Sequence, residues 1–564
     1  MTLINIFTAI AYVFLASSAP AQIIYVDADA SVGGDGSSWN TAYQYLQDAL
    51  AVVAADDEIR VAEGTYQPDR DASDPNGSGD RTATFQLING VTIKGGYPGL
   101  GAAEPDARDI SKHPTILSGD LKGDDESNWD PSDLINEPNR VENCYHVVTG
   151  NFTDPNTILD GFTITGGQAD FESWPDYNGA GMYNDRGQLT VINCTFKANA
   201  ARYNGGGMFN YSFSSPTLTN CTFSGNYAQN GGGMQNNLNS SPTLNQGIFK
   251  DNYAKDKGGA LRNQSQSNAT ITNYIFSGNW AKSGGGTYNQ ASDPTFINST
   301  FSGNRAHTGG GMYNYYSSPV ITNSIFWGDT PDEIHVHSGA PTVTYSNVQG
   351  GSNGLGNLDT DPRFVSAKHL DDHGTPNDPN DDFWVEADYH LQSYSGQWDP
   401  NFSRNCDFND DGIINLVDFT ELADSWCLHG YLPADLNHDG WVNIKDLVVF
   451  SANFLTSGAV ISRCIDAGNP GYPLLDEPSH LNNVRINMGA YGQTDKAGKT
   501  PPDWALRADI NNDGTVNLTD FNHQARVWLK SGAKQPGDLN RDGIVDIDDL
   551  ELLSADWLKK TSWR

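Results

Sequence analysis

From Asn193 onward, apolar and polar positions recur with a long, nearly fixed period. A Phe is followed three residues later by Asn at Phe196/Asn199, Phe223/Asn226, Phe249/Asn252, Phe276/Asn279 and Phe301/Asn304, and Phe326 continues the series without the Asn. Successive Phe positions are 27, 26, 27, 25 and 25 residues apart. A second landmark is a small-residue cluster with Asn three positions on: 205–207 with Asn210, 231–233 with Asn236, 258–260 with Asn263, 284–286 with Asn289 and 309–311 with Asn314. A weaker copy precedes it at 179–181 with Asn184. The third landmark is an apolar residue two positions before Asn or Gln: Val191/Asn193, Leu218/Asn220, Leu244/Gln246, Ile271/Asn273, Phe296/Asn298 and Ile321/Asn323.

Short alternating apolar segments read as strands of about 3–5 residues. Gly and Asn punctuate them because both tolerate the positive φ of sharp bends. One such unit cannot bury its apolar side alone, so successive units must stack, with strands paired at about 4.8 Å. Equivalent side chains then line up. The Phe series becomes an interior aromatic stack and the Asn series a hydrogen-bonded ladder. The expected fold is mainly β, a parallel β-helix solenoid. Residues 43, 46, 50 and 53 carry apolar side chains at helical spacing. After a short strand at 23–26, this segment predicts a helical cap over the first coil, whose open edge and core need covering. The polar stretches 64–85 and 119–142 predict loops projecting from coils.

A different pattern governs the C-terminal part. Calcium loops use a frame of about 12 residues, with oxygen ligands at the first, third, fifth, seventh, ninth and last positions and Gly at the sixth. Four segments keep every side-chain position. They are Asp407, Asn409, Asp411, Asn415 and Asp418; Asp435, Asn437, Asp439, Asn443 and Asp446; Asp509, Asn511, Asp513, Asn517 and Asp520; and Asp538, Asn540, Asp542, Asp546 and Asp549. Gly412, Gly440, Gly514 and Gly543 hold the turn position. Carboxylates this dense repel one another unless a hard cation joins them, so four Ca2+ sites are expected. Each loop runs into a short helix. After loop one Leu416, Phe419, Leu422, Ala423 and Trp426 share a face, and after loop four Ile547, Leu550, Leu553 and Trp557 do likewise. So few apolar residues suggest that metal binding drives the folding of these modules.

These motifs carry resemblances. The repeat, together with Ile24-Tyr25-Val26-Asp27-Ala28-Asp29, Gly36-Ser37-Ser38-Trp39 and Leu159-Asp160-Gly161-Phe162-Thr163-Ile164-Thr165-Gly166-Gly167, resembles right-handed parallel β-helix proteins of the pectin-lyase-like group and large secreted bacterial β-helix proteins. The Phe-x-x-Asn and Gly-Gly-x-x-x-Asn pairs are also similar to chlamydial polymorphic outer-membrane proteins. The loop–helix units, paired two and two with Asp rather than Glu at the last position, resemble type I dockerin modules. That resemblance implies attachment to a cohesin-like partner. Where the best-known dockerins carry Ser-Thr for partner choice, this chain has Leu416-Val417, Ile444-Lys445, Leu518-Thr519 and Ile547-Asp548. A partner would therefore present a more apolar groove. The expected organisation is a signal peptide over 1–21, a capped β-helix over 22–400, an inserted dockerin-like module over 401–458, a β-helix C-terminal cap over 459–495 and a second module over 503–560.

Composition narrows the function. Among 564 residues there are 59 Gly, and 69 acidic side chains face 33 basic ones for a net charge of −36. Such a surface repels nucleic acid and anionic lipid. Residues 4–15 are apolar but too short to span a bilayer, and Ala19-Pro20-Ala21 reads as a cleavage site. The expected location is outside the cell or on its surface, without membrane insertion. Of six cysteines, Cys194 and Cys221 suit stacked core positions, while Cys406 and Cys427 bracket loop one and suit pairing. Connectivity stays open.

No catalytic residue is assigned. Asp170, Glu172, Asp176 and Asp185 are acidic candidates, with Trp174 and Tyr177 among them as sugar-stacking rings. Arg186, Arg202, Arg262 and Arg305 recur near the glycine clusters and suit an anionic glycan. Two readings stay open: a secreted polysaccharide-binding or polysaccharide-processing protein (a lyase or glycoside hydrolase if an enzyme), and a non-catalytic adhesion or matrix protein.

Overall fold

The structure, a computed structural model, describes residues 21–126, 130–366, 369–371, 383–385, 387–391, 462–475, 485–494 and 504–561 without 533, and the single positions 423, 442 and 497. Residues 1–20, the ligands of loops one and two, and Cys406 and Cys427 lie outside the described residues.

Each repeat forms one coil of a parallel β-helix. Among the described residues the coils build an 18-stranded, a 9-stranded and a 6-stranded sheet. Their strands pair parallel with residue-for-residue register, as in Thr217↔Thr243 through Ser224↔Lys250. The largest sheet is creased along its length. Asn193, Asn220, Gln246, Asn273, Asn298 and Asn323 sit at the crease with φ between 48 and 58°. This is the third sequence landmark, and Asn suits it because its short polar side chain tolerates the left-handed region.

The glycine clusters mark the corner between the six- and nine-stranded sheets. Gly231 takes φ 62°. A Cβ on Gly232 would lie 2.4 Å from the Tyr253 carbonyl oxygen of the next coil, and one on Gly233 would lie 2.8 Å from the Phe249 ring. The first glycine turns the chain, and the other two let neighbouring coils and the core close up.

Inside, the Phe series stacks as expected. Phe196, Phe223, Phe249, Phe276, Phe301 and Phe326 are fully buried, with successive ring centroids 4.7, 4.7, 5.2, 4.2 and 4.2 Å apart. Burying each ring contributes about 1.5–3 kcal/mol. Two Asn ladders line the interior. Nδ2 of Asn184, Asn210, Asn236, Asn263 and Asn289 donates to the Oδ1 of the Asn one coil on, at 2.9 to 3.0 Å. The Phe-x-x-Asn series does the same from Asn199 to Asn304 and also receives the backbone N–H of the preceding rung. Cys194 and Cys221 are buried free thiols in the core, beside the same stack.

Three local expectations change. The helix near the N-terminus spans only Leu46–Leu50, because Tyr43 pairs with the first strand: its N–H donates to the Tyr25 carbonyl at 2.9 Å. Leu46, Ala49 and Leu50 still cover the first coil. The stretch 64–85 begins with a strand, Gly64–Tyr66, paired with Thr115–Ser118. The polar loop 119–142 does not project freely. Leu134 folds back onto Ala198, Ala200 and Tyr227 of the solenoid.

The segments on either side of 401–458 share one apolar cluster, in which Tyr389, Ile465 and Met488 pack with Ile275, Ile325 and Tyr345. Residues 485–492 run across three coils. Asn273 Nδ2 donates to the Ala490 and Gly492 carbonyls at 2.9 and 2.6 Å, and Gly489 N–H to the Asn323 carbonyl at 2.7 Å.

Candidate functional site

The outer face of the six-stranded sheet carries a column of rings. Its strands include Ala200–Asn204, Tyr227–Asn230, Tyr253–Lys257, Trp280–Ser283 and Arg305–Thr308. Ala201, Ala228, Ala254, Ala281 and Ala306 pair in register. Because side chains alternate along a strand, the residues flanking this alanine row point outward. One flank is Ala200, Tyr227, Tyr253, Trp280 and Arg305. Tyr227 and Tyr253 stack at 5.8 Å and 7°, and Tyr253 and Trp280 at 4.5 Å and 9°. The other flank is Arg202, Gln229, Lys255, Lys282 and His307.

Two clefts open beside this ladder. One of about 610 Å3 is lined by Tyr227, Arg202, Gln229, Lys255 and Lys282, with Ile135 from the folded-back loop. The other, about 370 Å3, is lined by Tyr253, Trp280, Arg305 and Asp130. The loop residues 130–136 thus stand between the two openings. Tyr227 is buried beneath Leu134 and Tyr253 is stacked on both faces, so the clefts present ring edges beside polar and cationic side chains.

The acidic candidates do not converge on one point. Asp170 pairs with Arg81 at 2.7 Å, Glu172 with Arg202 at 3.4 Å, Asp176 with His146 at 3.5 Å and Asp185 with Arg186 at 3.2 Å. Trp174 packs on Tyr211 at 4.7 Å and on Tyr177 at 5.9 Å, over the outer face of the nine-stranded sheet. Arg262 lies on that same sheet, 7% exposed, between Gln235 and Gln290, and burial pushes it down to about 10.

Loops three and four adopt mutually similar conformations. The Asp509 carboxylate accepts the N–H groups of Asp513 and Gly514 at 3.1 and 2.9 Å, and Asp538 accepts those of Asp542 and Gly543 at 3.1 and 3.0 Å. Asp520 bridges the N–H groups of Asn511 and Asn517, and Asp549 those of Asn540 and Asp546. Asn517 and Asp546 cap the helices Leu518–Arg526 and Ile547–Ala555. All four of these carboxylates are buried. Burial pushes Asp509 up to about 6 and also raises Asp520 and Asp538. Buried carboxylates held together by backbone donors are the set a hard divalent cation would complete, so Asp509, Asn511, Asp513, Asn517 and Asp520 fit Ca2+, as do Asp538, Asn540, Asp542, Asp546 and Asp549. The helical face after loop four is narrower than its spacing suggests. Leu553 is buried, whereas Ile547 is 63% and Trp557 39% exposed.

No protein-family model and no curated protein matches the chain. In fold, the chain is similar to solved polysaccharide-active proteins. A pectate lyase, Pel9A, aligns at 14% identity over 84% of this chain and 97% of its own, with a TM-score of 0.36. A rhamnogalacturonan lyase aligns at 12% identity over 65% and 96%, with a TM-score of 0.29. A pectin methylesterase from Aspergillus niger aligns at 14% over 61% and 86%, with a TM-score of 0.24. At this distance the reading of the site rests on the residues of the chain itself.

Two features stand out only in the structure. The ring column is visible in the sequence only once the Phe-x-x-Asn register is fixed, when the next residue reads Ala200, Tyr227, Tyr253, Trp280 and Arg305. The second is the group Asp120, Asp124 and Asp125, the one place among the described residues where three acidic side chains bring ligand atoms within 4.8 Å of one another. The Asp120 carboxylate there already accepts the N–H groups of Gly123, Asp124 and Asp125.

Proposed function

We propose that this is a secreted polysaccharide-binding β-helix protein, loaded with calcium in its C-terminal modules and attached through them to a partner. The observation that carries the binding reading is the pair of open clefts beside the ladder, one lined by Arg202, Gln229, Lys255 and Lys282 and the other by Tyr253, Trp280 and Arg305. The coil rise of about 4.8 Å repeats the cleft-lining side chains at close to the length of one sugar unit along a chain. Binding is favoured over hydrolysis because the carboxylates at the larger cleft are occupied, Asp170 by Arg81 and Asp256 by Lys257.

Attachment is supported by Leu518 and Ile547. These occupy the positions that choose a partner in the modules this chain resembles, and they are 71% and 63% exposed. A cohesin-like partner with an apolar groove would cover both.

The test is affinity electrophoresis of the purified protein through gels containing neutral or acidic polysaccharides, with calcium present. Retardation by at least one polysaccharide, lost in Trp280→Ala and Tyr253→Ala, is expected. Migration unchanged in every gel removes the reading. Release of unsaturated or reducing-end products from the same polysaccharide would make the protein an enzyme rather than a binder.

A further inference from the structure

Asn512 and Arg541 hold the fourth place in loops three and four, a place that supplies no ligand to the cation. Both take a left-handed backbone, with φ of 58 and 65°. Both reach out of their loops to the end of the solenoid. Asn512 is 7% exposed, and its Nδ2 donates to the Gly356 and Ala467 carbonyls, each at 2.8 Å. Arg541 Nε donates to the Pro470 carbonyl at 3.1 Å. Arg485 answers from the solenoid side, its Nη1 donating at 2.6 Å to the carbonyl of Asp509, the first ligand position of loop three. A Cβ on Gly471 would lie 2.0 Å from the Gln535 carbonyl oxygen, and Lys534 Nζ sits 4.6 Å from the centre of the Tyr472 ring. Leu355 packs both on the cluster of Ile325 and Tyr345 and on the module's own core of Ala508, Ile510 and Val516.

These contacts need a closed loop three. The Asn512 amide meets its two acceptors only while residue 512 keeps its left-handed turn. The same turn aims the Asp509 carbonyl, and the Asp509 carboxylate holds it through the N–H groups of Asp513 and Gly514. A cation favours the closed form because it draws together Asp509, Asp513 and Asp520, which repel one another without it. When the loop opens, Asn512 leaves two carbonyls, and the buried Arg485 guanidinium loses an acceptor. Cation binding and docking therefore select the same loop conformation, and two events that select one conformation strengthen each other. Leu518 and Ile547 stay exposed in the docked module.

We infer that calcium in loop three locks the C-terminal module onto the end of the solenoid through Asn512 and Arg485, and so fixes the direction in which the module faces its partner. This rests on the calcium-binding reading and adds what the ion does to the rest of the chain. With calcium, module and solenoid move as one body. Without it, the module stays tethered and turns independently. By reciprocity, the docked solenoid tightens calcium at loop three.

The test is hydroxyl-radical footprinting of the full chain. Tyr472, which docking leaves 8% exposed, is the reporter, and the fully buried Phe223 and Phe249 are the controls. Calcium-loaded protein, chelated protein and Asn512→Gly in calcium are compared. Gly keeps the left-handed turn and removes the amide. The expected result is oxidation of Tyr472 that is roughly fivefold faster or more after chelation, with Phe223 and Phe249 unchanged. Asn512→Gly is expected to raise Tyr472 oxidation in calcium. By titration calorimetry it should weaken one calcium site roughly fivefold or more and leave the others alone. Tyr472 equally protected before and after chelation, in a protein that binds calcium, overturns the lock and leaves the calcium sites standing. Oxidation that rises as much at Phe223 and Phe249 is general unfolding and also overturns it. So does an Asn512→Gly protein that matches the unaltered one in both measurements. No calcium bound by the unaltered protein overturns both readings.

Discussion

Asn304 donates both its backbone N–H and its Nδ2 to a single oxygen of Asp329, Oδ1, at 2.6 and 2.8 Å. Every earlier rung of this ladder ends on an Asn, so Asp329 is where a carboxyl replaces the amide. Beside it lies Glu333, which accepts the N–H groups of Gly328 and Asp329 at 2.9 and 3.2 Å. Burial and the neighbouring acid raise Asp329 well above the usual carboxylate range, and burial lifts Glu333 to about 7.

This pair makes stability depend on pH. A carboxyl whose value is raised by folding binds more protons in the folded state, so stability is greatest below the unfolded value and is lost as pH rises through the folded one. For Glu333 the window runs from the ordinary 4.5 up to about 7. Between those pH values Glu333 should cost about 3 kcal/mol. Asp329→Asn supplies the missing amide, which can donate to Glu333. Urea melts at pH 5 and pH 8 should show a smaller loss of stability in this variant than in the unaltered protein.

The Phe stack and the glycine corner predict large, separate losses. Phe249 is fully buried between Phe223 and Phe276. Phe249→Ala should cost about 3–5 kcal/mol, read as a lower urea midpoint. Gly232→Ala should be at least as damaging although it adds one carbon, because the clash is with backbone, 2.4 Å from the Tyr253 carbonyl oxygen.

Arg485 ties the C-terminal module to the solenoid. It is 1% exposed and donates to the Gly468 carbonyl at 2.8 and 2.6 Å and to the Asp509 carbonyl at 2.6 Å. Its planar fork serves residues 468 and 509 at once, which a lysine cannot do. Arg485→Lys should lower stability by about 3 kcal/mol, read as a lower urea midpoint.

Calcium should be required by loops three and four. Chelation should lower the thermal transition of the full chain, and titration calorimetry should count fewer bound ions for Asp520→Ala and Asp549→Ala, one fewer for each. Their helices lose a cap as well, since both carboxylates also complete the capping boxes. The expected stability loss without metal is about 1 kcal/mol for each variant.

Much of the fold was legible because stacking turns a period into a contact. Once Phe223 and Phe249 occupy equivalent places on successive coils, their rings must meet, and the same holds for Asn210 and Asn236. The loop motifs were legible for a related reason. The positions of Asp509, Asp513 and Asp520 in one short frame already fix which carboxylates accept the backbone N–H groups of the turn. The outer face of the six-stranded sheet was not legible in that way, because Tyr253 and Lys255 read the same in sequence whether they face solvent, a loop or the core.

By itself, then, the sequence determined the coil, its interior Phe and Asn columns, its left-handed Asn crease and the turn frames at 509–520 and 538–549, all of which follow from local pattern. Only the tertiary structure decided what lies outside the coil. It set Tyr227, Tyr253 and Trp280 in one stack, folded Leu134 back beside them, gave Asp170 to Arg81 and Asp256 to Lys257, and left Lys255 and Lys282 open. The physical reason is range. A repeat fixes contacts between equivalent residues, whereas ion pairs such as Arg81 with Asp170 join segments far apart in the chain, and no period encodes which of them will meet.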